Sequence, residues 1–273
     1  MKDFQDKVVV ITGAGSGIGR ATALAFAQAG ARVHVVDIHQ ERAQQVAQEI
    51  SLSFAPAAAH TVDCTDAEAV SALAAQIYQQ DGRVDILHNN AGIGHGSPID
   101  KLSLADWRKL LDINLWSVIY GVQAFLPRMI ADGRGGHIIN TASLAGLLGA
   151  PQMSAYCTSK FAVVGLSESL AAELAVHRIG VTVVCPGVVN TNIVQDGVID
   201  AGHRLSKDQV VKFFQRFGLN PDRVAQEILT AVRRRKKLVV TPHHAAFLWR
   251  LKRISPPLYH LLVGTIGKQL NKR

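Results

Sequence analysis

Tyr156 and Lys160 stand four apart in the stretch Ser154-Ala155-Tyr156-Cys157-Thr158-Ser159-Lys160. Ala155, Ala162, Leu166 and Leu170 recur there at helical spacing and predict a helix. Residues four apart share a helix face, so a phenol and an ammonium can address one small volume. A phenol titrates at about 10, and a fixed positive charge beside it favours the phenolate and lowers that value. A tyrosine tuned in this way can take or return a proton near neutral pH. The pair alone is a weak signal, because Tyr and Lys stand four apart in many helices that do no chemistry.

What such a pair could act beside is set by the N-terminal third. Lys7 to Thr12 is a β-branched run without polar alternation, the pattern of a strand buried on both faces of a parallel sheet. Gly13-Ala14-Gly15-Ser16-Gly17-Ile18-Gly19 follows, and Arg20 to Ala29 reads as an alanine-rich helix. Strand, glycine turn and helix start together predict a phosphate cradle, since glycine admits a pyrophosphate and the helix start presents free N–H groups. The glycines fit T-G-x-x-x-G-x-G through Thr12, Gly13, Gly17 and Gly19, not the stricter G-x-G-x-x-G. Ala31 to Val36 is the second strand, and Asp37 closes it. A carboxylate there can bind both hydroxyls of an adenosine ribose and repels a 2′-phosphate, which favours NAD over NADP; Arg20 and His39 nearby pull the other way.

Further strands are expected up to Val62-Asp63-Cys64, over Val84 to His88, His137 to Ala142, Val181 to Cys185 and Leu238 to Thr241. Helices between them are expected over Glu41 to Ile50, Asp66 to Tyr78, Leu104 to Met129 and Pro221 to Lys237. This alternation predicts an α/β protein with three layers, a doubly wound Rossmann-type parallel sheet of about seven strands with a C-terminal helical extension. Asn89-Asn90-Ala91-Gly92 would form a loop under a cofactor, and Asn114 sits where helix propensity disfavours it. Ser143 follows the fifth strand and Pro186-Gly187 the sixth.

Composition bounds the alternatives. The chain has 273 residues, 48% apolar and 18% charged, enough for the full core of one large domain and unlike a disordered chain. Cys64, Cys157 and Cys185 leave one thiol unpaired under any scheme and fit no zinc spacing, so reduced thiols and no metal are expected. Met1 to Lys7 reads as no secretory signal, and no run of about eighteen uncharged apolar residues predicts a bilayer span, so a cytoplasmic protein is expected. The net charge of +8 is misleading, because 11 of the 29 Lys and Arg residues lie from Arg233 to Arg273, where no Asp or Glu occurs. The rest holds 18 basic against 21 acidic residues, so a mildly acidic body carries a basic tail and no nucleic-acid partner is expected.

From Lys7 to Pro242 these motifs, in this order and spacing, resemble the short-chain dehydrogenase/reductase family. The resemblance implies hydride transfer between a nicotinamide and a secondary alcohol or its ketone. It implies that Tyr156 is the acid/base, that Lys160 lowers its pKa and binds the nicotinamide ribose, and that Ser143 donates to the substrate oxygen. It also implies that the backbone at Asn114 holds a water linking Lys160 to solvent. Cofactor contacts would come from Gly13, Ser16, Gly17, Ile18, Gly19, Asp37, Asp63, Cys64, Asn90, Ala91, Gly92, Tyr156, Lys160, Pro186, Gly187, Val189 and Thr191. Among these, Asp63 would meet the adenine, Asn90 the nearby ribose and Thr191 the carboxamide. The family often forms dimers or tetramers. The competing reading is a catalytically silent NAD(H) sensor or membrane-surface scaffold on the same fold, which has no need of Ser143, Tyr156 and Lys160 together.

Residues 1–242 thus read as one domain, with a substrate lid over about 192–220, and 243–273 as a basic amphipathic tail. In the lid, Ile193, Val194, Val198, Ile199, Leu205 and Val211 accompany Val210, Phe213, Phe214 and Phe217, which form a helical apolar face after Ser206 and Asp208. That face lines a pocket or packs on a neighbouring subunit. Leu144, Leu147, Leu148 and Met153 near the catalytic residues favour a bulky apolar substrate, and His95, in the loop after Gly92, either approaches the pocket or is a solvated loop histidine. In the tail, Phe247, Leu248, Leu251 and Ile254 share a face among Arg250, Lys252 and Arg253. Pro256-Pro257 breaks that helix and starts another bearing Leu258, Leu261, Leu262 and Ile266. The tail lies on an anionic membrane surface, or it covers the substrate site or docks on another subunit.

Overall fold

A computed structural model describes residues 3–199, 206–242 and 244–271. The first strand, β1 (Val8–Thr12), turns through glycine into α1 (Gly17–Gln28), then β2 (Arg32–Asp37) and α2 (Gln40–Ser53). Next come β3 (Ala58–Thr61), α3 (Ala67–Asp81) and β4 (Ile86–Asn89). The third strand, expected to run up to Val62-Asp63-Cys64, covers Ala58–Thr61 and stops before them. Beyond the short β5 (His95–Gly96), α4 (Leu104–Leu111) and α5 (Ser117–Ala131) are joined by a π-helical segment, Asp112–Trp116. Then follow β6 (Gly136–Thr141), α6 (Ser154–Glu173) and β7 (Ile179–Pro186). The chain continues through β8 (Val198–Ile199), α7 (Lys207–Phe217), α8 (Pro221–Arg234), β9 (Leu238–Thr241), α9 (Ala245–Ile254) and α10 (Pro256–Asn271).

Seven of these strands form one parallel sheet in the order β3-β2-β1-β4-β6-β7-β9. The apolar run of β1 shows why no alternation was visible. Val9 and Ile11 pack with Phe26, Val46, Ile228 and Val232 of α1, α2 and α8, while Val8 and Val10 pack on the other face with Ile77, Phe125 and Met129 of α3 and α5. Both faces are dry, as in a doubly wound sheet. Leu104–Ala131 runs as 28 continuous helical residues, long and apolar enough by composition to cross a membrane. Its Val122, Phe125 and Met129 are instead buried against α3, so it is a layer of the fold.

Several ends follow from local chemistry. Asp66 caps α3 through the N–H groups of Glu68 and Ala69, and Gly82 ends it in the left-handed region at φ +71°. Ser206 and Gln209 form a capping box on α7, while Asn220 and Pro221 start α8. The helix expected to reach Lys237 stops at Arg234, because Arg235 turns left-handed at φ +50° and releases β9 into the sheet. The pairing of β5 with β8, which ties the segment after β4 to the lid, had no sequence signature. Leu205 and the side chain of Ile266 lie outside the described residues, as does the side chain of Leu262.

Candidate active site

A cleft of about 1180 Å³ runs along the carboxyl ends of the sheet strands. Every residue expected at the site lines it except Gly19 and Asn114, which are buried behind the wall. One end is the glycine turn. Gly13 and Gly17 adopt φ of +62° and +53°, and a Cβ on Gly13 would stand 2.8 Å from the Ala91 Cα. A Cβ on Gly17 would meet Thr191 at 2.9 Å, and one on Gly19 would meet the Gly13 carbonyl at 2.2 Å. Side chains are therefore barred from the mouth of α1, whose N–H groups face the cleft beside Ser16; the shape and chemistry of this end suit a pyrophosphate.

Asp37 is buried at the end of β2, where its carboxylate accepts from the Gly15 N–H at 2.8 Å and the His39 N–H at 3.0 Å. Arg20 is turned to Glu49 at 2.6 Å and takes no part in the cleft lining. The cation near Asp37 is Arg42, which lines the cleft and pairs with Asp196 of the lid at 3.1 Å. Sequence reading missed Arg42, whose only signal is its position one helical turn into α2. Asp63 forms a local turn, accepting from the Thr65 N–H at 2.9 Å and the Thr65 hydroxyl at 2.8 Å. Burial pushes the Cys64 thiol up to about 12, with the nearby Asp63 and Asp37 charges adding to it, so this cleft thiol is not a nucleophile.

The loop after β4 behaves differently from the expectation. Asn89 is still strand, buried, and donates to the Asn140 Oδ1 at 2.9 Å within the core. The side chain of Asn90, expected at a ribose, is engaged inside the protein: its Nδ2 donates to the carbonyls of Thr12 at 3.1 Å and Gly13 at 3.2 Å. Its Oδ1 accepts from the Thr141 hydroxyl at 3.1 Å. Asn90 thus laces β1, β4 and β6 together under the turn. The Thr12 hydroxyl completes the lacing by accepting from the N–H groups of Asn90 and Ala91 at 3.0 and 3.1 Å.

At the other end Ser143, Tyr156 and Lys160 converge on the cleft. Lys160 is 2% exposed and donates to the Thr141 carbonyl at 3.1 Å, and its Nζ lies 5.9 Å from the Tyr156 ring centroid. Gly92 makes room for it, because a Cβ there would stand 3.0 Å from the Asn114 Oδ1 and 3.3 Å from Nζ. Burial pushes Tyr156 up to about 12, opposed by its hydrogen bond with Ser143, while burial pulls Lys160 down to about 8. Burial of each group disfavours its charged form, which raises the phenol and lowers the amine. The Ser143 hydroxyl accepts from the Ala145 N–H at 3.1 Å, which fixes its orientation at the end of β6.

Asn114 sits in the π segment between α4 and α5, fully buried. Its Oδ1 accepts from the Ile93 N–H at 2.9 Å, and its Nδ2 donates to the Ile93 carbonyl at 3.0 Å and the Ser159 hydroxyl at 3.3 Å. The side chain therefore clamps the cleft loop to α6, and the π segment displaces backbone groups from regular helical pairing. Thr191 packs its methyl on Gly17, Val189 is buried beside Leu219, and Gly187 donates to the Thr241 carbonyl at 2.7 Å.

The outer wall is apolar, formed by Leu144, Leu148, Met153, Val194, Val210 and Phe214, with Leu248, Tyr259 and Val263 from the tail. Leu147 turns away into the core instead. The predicted lid face is split: Val210 and Phe214 face the cleft, whereas Phe213 and Phe217 are exposed. The tail packs over the same wall, Lys252 donating to the Leu147 carbonyl at 2.8 Å and Tyr259 to the Gly149 carbonyl at 3.2 Å. His95 is buried in β5, paired with β8, and lines the cleft, as one of its two readings expected, rather than being solvated.

Residues 7–200 match the family model described as short chain dehydrogenase. The oxidoreductase EphD of Mycobacterium tuberculosis strain H37Rv is 38% identical over 259 residues, 93% of this chain. This chain spans only 44% of the length of that relative. A cyclohexanol dehydrogenase of Acinetobacter sp. strain SE19 is 40% identical over 194 residues, 71% of this chain and 77% of its own. A short chain dehydrogenase/reductase from Burkholderia phymatum, solved in complex with NAD, superposes with a TM-score of 0.88 at 31% identity, covering 94% of this chain and 96% of its own. A glycine turn and a Ser143–Tyr156–Lys160 cluster facing one cleft agree with that match: the chain belongs to the short chain dehydrogenase family.

Proposed function

We propose that the protein transfers a hydride between NAD(H) and a secondary alcohol or its ketone, and that its substrate is bulky and apolar. The observation that carries this reading is the single cleft with the glycine turn and Asp37 at one end and Ser143, Tyr156 and Lys160 at the other. When bound there, the nicotinamide accepts or returns the hydride. The chain's own residues bind, orient and move the proton. Tyr156 gives its hydroxyl proton to the ketone oxygen in reduction and takes it back in oxidation. Ser143, held by the Ala145 N–H, donates to the same oxygen and steadies the charge that builds on it. Lys160, buried and lowered to about 8, is the charge nearest the phenol and can pass a proton on.

Asp37 supports NAD over NADP, since a buried carboxylate beside Gly15 meets a ribose diol as an acceptor and repels a phosphate. The NAD bound to the Burkholderia neighbour supports a nicotinamide cofactor, and the Acinetobacter relative's name, cyclohexanol dehydrogenase, supports a secondary alcohol as substrate. Residues 1–242 would hold cofactor and catalytic groups, with 192–220 covering the substrate and 243–273 closing the mouth. The reading is tested by following NADH formation over a panel of cyclic, fatty and aromatic secondary alcohols. Tyr156→Phe should lose at least about 10³-fold in turnover, the general scale of acid/base catalysis, while binding NADH as before. An active Tyr156→Phe protein would refute the proton-transfer role. Silence of the intact protein across the panel, with NADH still bound, would favour the sensor reading.

A further inference from the structure

Three helices around the mouth of the cleft are apolar on two sides. Inward, Val210 and Phe214 of α7, Leu248 of α9, and Tyr259 and Val263 of α10 line the cleft. Outward, the same helices expose Phe213 and Phe217, Phe247 and Ile254, and Leu258 and Leu261, with Ile254 at 83% and Leu261 and Phe247 near two-thirds. A helix that only roofs a pocket needs one apolar face. Here six large apolar side chains on the helices that line the cleft are exposed, with no covering element among the described residues.

The charge around this rim selects its occupant. Phe247, Leu251 and Ile254 share a stripe on α9, and Arg250 falls beside that stripe at helical spacing. Arg253 flanks it with its guanidinium over the Trp249 ring at 5.3 Å. Behind α9, Arg223, Arg234 and Lys236 join Arg250 around a second cleft of about 640 Å³, where Glu227, paired with Arg223 at 3.5 Å, is the one acidic lining residue. No acidic residue occurs from Arg233 to the end of the sequence, and α7 carries Lys207, Lys212 and Arg216 against Asp208. A second copy would bring the same cations against these, which like charge opposes, whereas an anionic bilayer complements both the stripe and the cations.

We propose that the face built by α7, α9 and α10 seats on an anionic lipid surface, so that the cleft mouth opens toward the bilayer and takes alcohols or ketones dissolved in it. The bilayer part stands on the rim alone; the substrate part rests on the oxidoreductase reading above. Each cation near an anionic surface contributes about fivefold to partition, from which Arg250→Glu/Arg253→Glu should lose about 25-fold or more.

The test uses the full chain in sedimentation with phosphatidylcholine vesicles, with and without phosphatidylserine, alongside analytical ultracentrifugation without lipid. The protein should sediment with the phosphatidylserine vesicles, release at raised salt, and fail to sediment with phosphatidylcholine alone. The double Arg variant and Phe247→Ser/Ile254→Ser/Leu261→Ser should both lose partition while turning over a water-soluble alcohol at the unaltered rate. With a long-chain alcohol delivered in the vesicles, the unaltered protein should outpace both variants. Equal partition of all forms, or none with phosphatidylserine, overturns the proposal. So does a shift of the triple variant to a smaller oligomer, which would make the face a contact between copies. Absence of turnover on any alcohol would count against the oxidoreductase reading and leave the partition result standing.

Discussion

Replacing Lys160 by Met should make the protein inactive and more stable. Lys160 is 2% exposed, and burial lowers it from 10.5 to about 8, so folding at neutral pH carries a charged amine out of water. A lowering of about 2.5 units corresponds to about 3 kcal/mol of lost stability at pH 7, where both folded and unfolded chains hold the proton. Met keeps most of the stem and removes the charge. It also strips the Thr141 carbonyl of its 3.1 Å donor, which takes back about 1–2 kcal/mol. The net gain expected at pH 7 is about 1–2 kcal/mol. The sign with pH follows from the lowered pKa. Between about 8 and 10.5 the unfolded chain holds more protons than the folded one, so the unaltered protein gains stability as pH rises. From pH 7 to 9.5 it should recover about 2 kcal/mol relative to Lys160→Met. Urea unfolding of both proteins at several pH values measures the difference directly. A variant less stable at pH 7, or a gap that does not move with pH, would refute the reasoning that the amine is a buried charge held at a loss for function.

Asp37→Ser should shift the NADP-to-NAD preference by at least about tenfold, or about 1.4 kcal/mol, because the repelling carboxylate goes while Arg42 stays beside it; initial rates with both cofactors measure this. Asn114→Leu should lower stability by about 2–4 kcal/mol and loosen the cleft loop, since both backbone groups of Ile93 lose buried partners; calorimetry and hydrogen exchange at Ile93 report it. Gly19→Ala should cost about 1–3 kcal/mol and weaken NADH binding, because its Cβ would stand 2.2 Å from the Gly13 carbonyl and push α1 off the turn; fluorescence titration with NADH reads the second effect.

The sequence by itself determined the sheet and the glycine turn, because each depends on periodicity or on residues adjacent along the chain, while the full set of site residues came from the family resemblance. The β-branched run of β1 implied burial on both faces, and the four-residue spacing of Tyr156 and Lys160 implied a shared face of α6. Charge counting located the basic tail, though not which side of it is exposed. Only the tertiary structure decided how strongly each group is desolvated, and so that Tyr156 rises to about 12 while Lys160 falls to about 8. It alone decided that Asn90 spends its side chain inside the protein, that Asn114 clamps Ile93 from a π segment, and that Arg42 rather than Arg20 stands at the cleft. Each of these depends on groups distant in sequence, brought together by strand order and helix docking. Local pattern carries the period of an element; the partner of a buried polar atom is set by whatever the fold packs across from it.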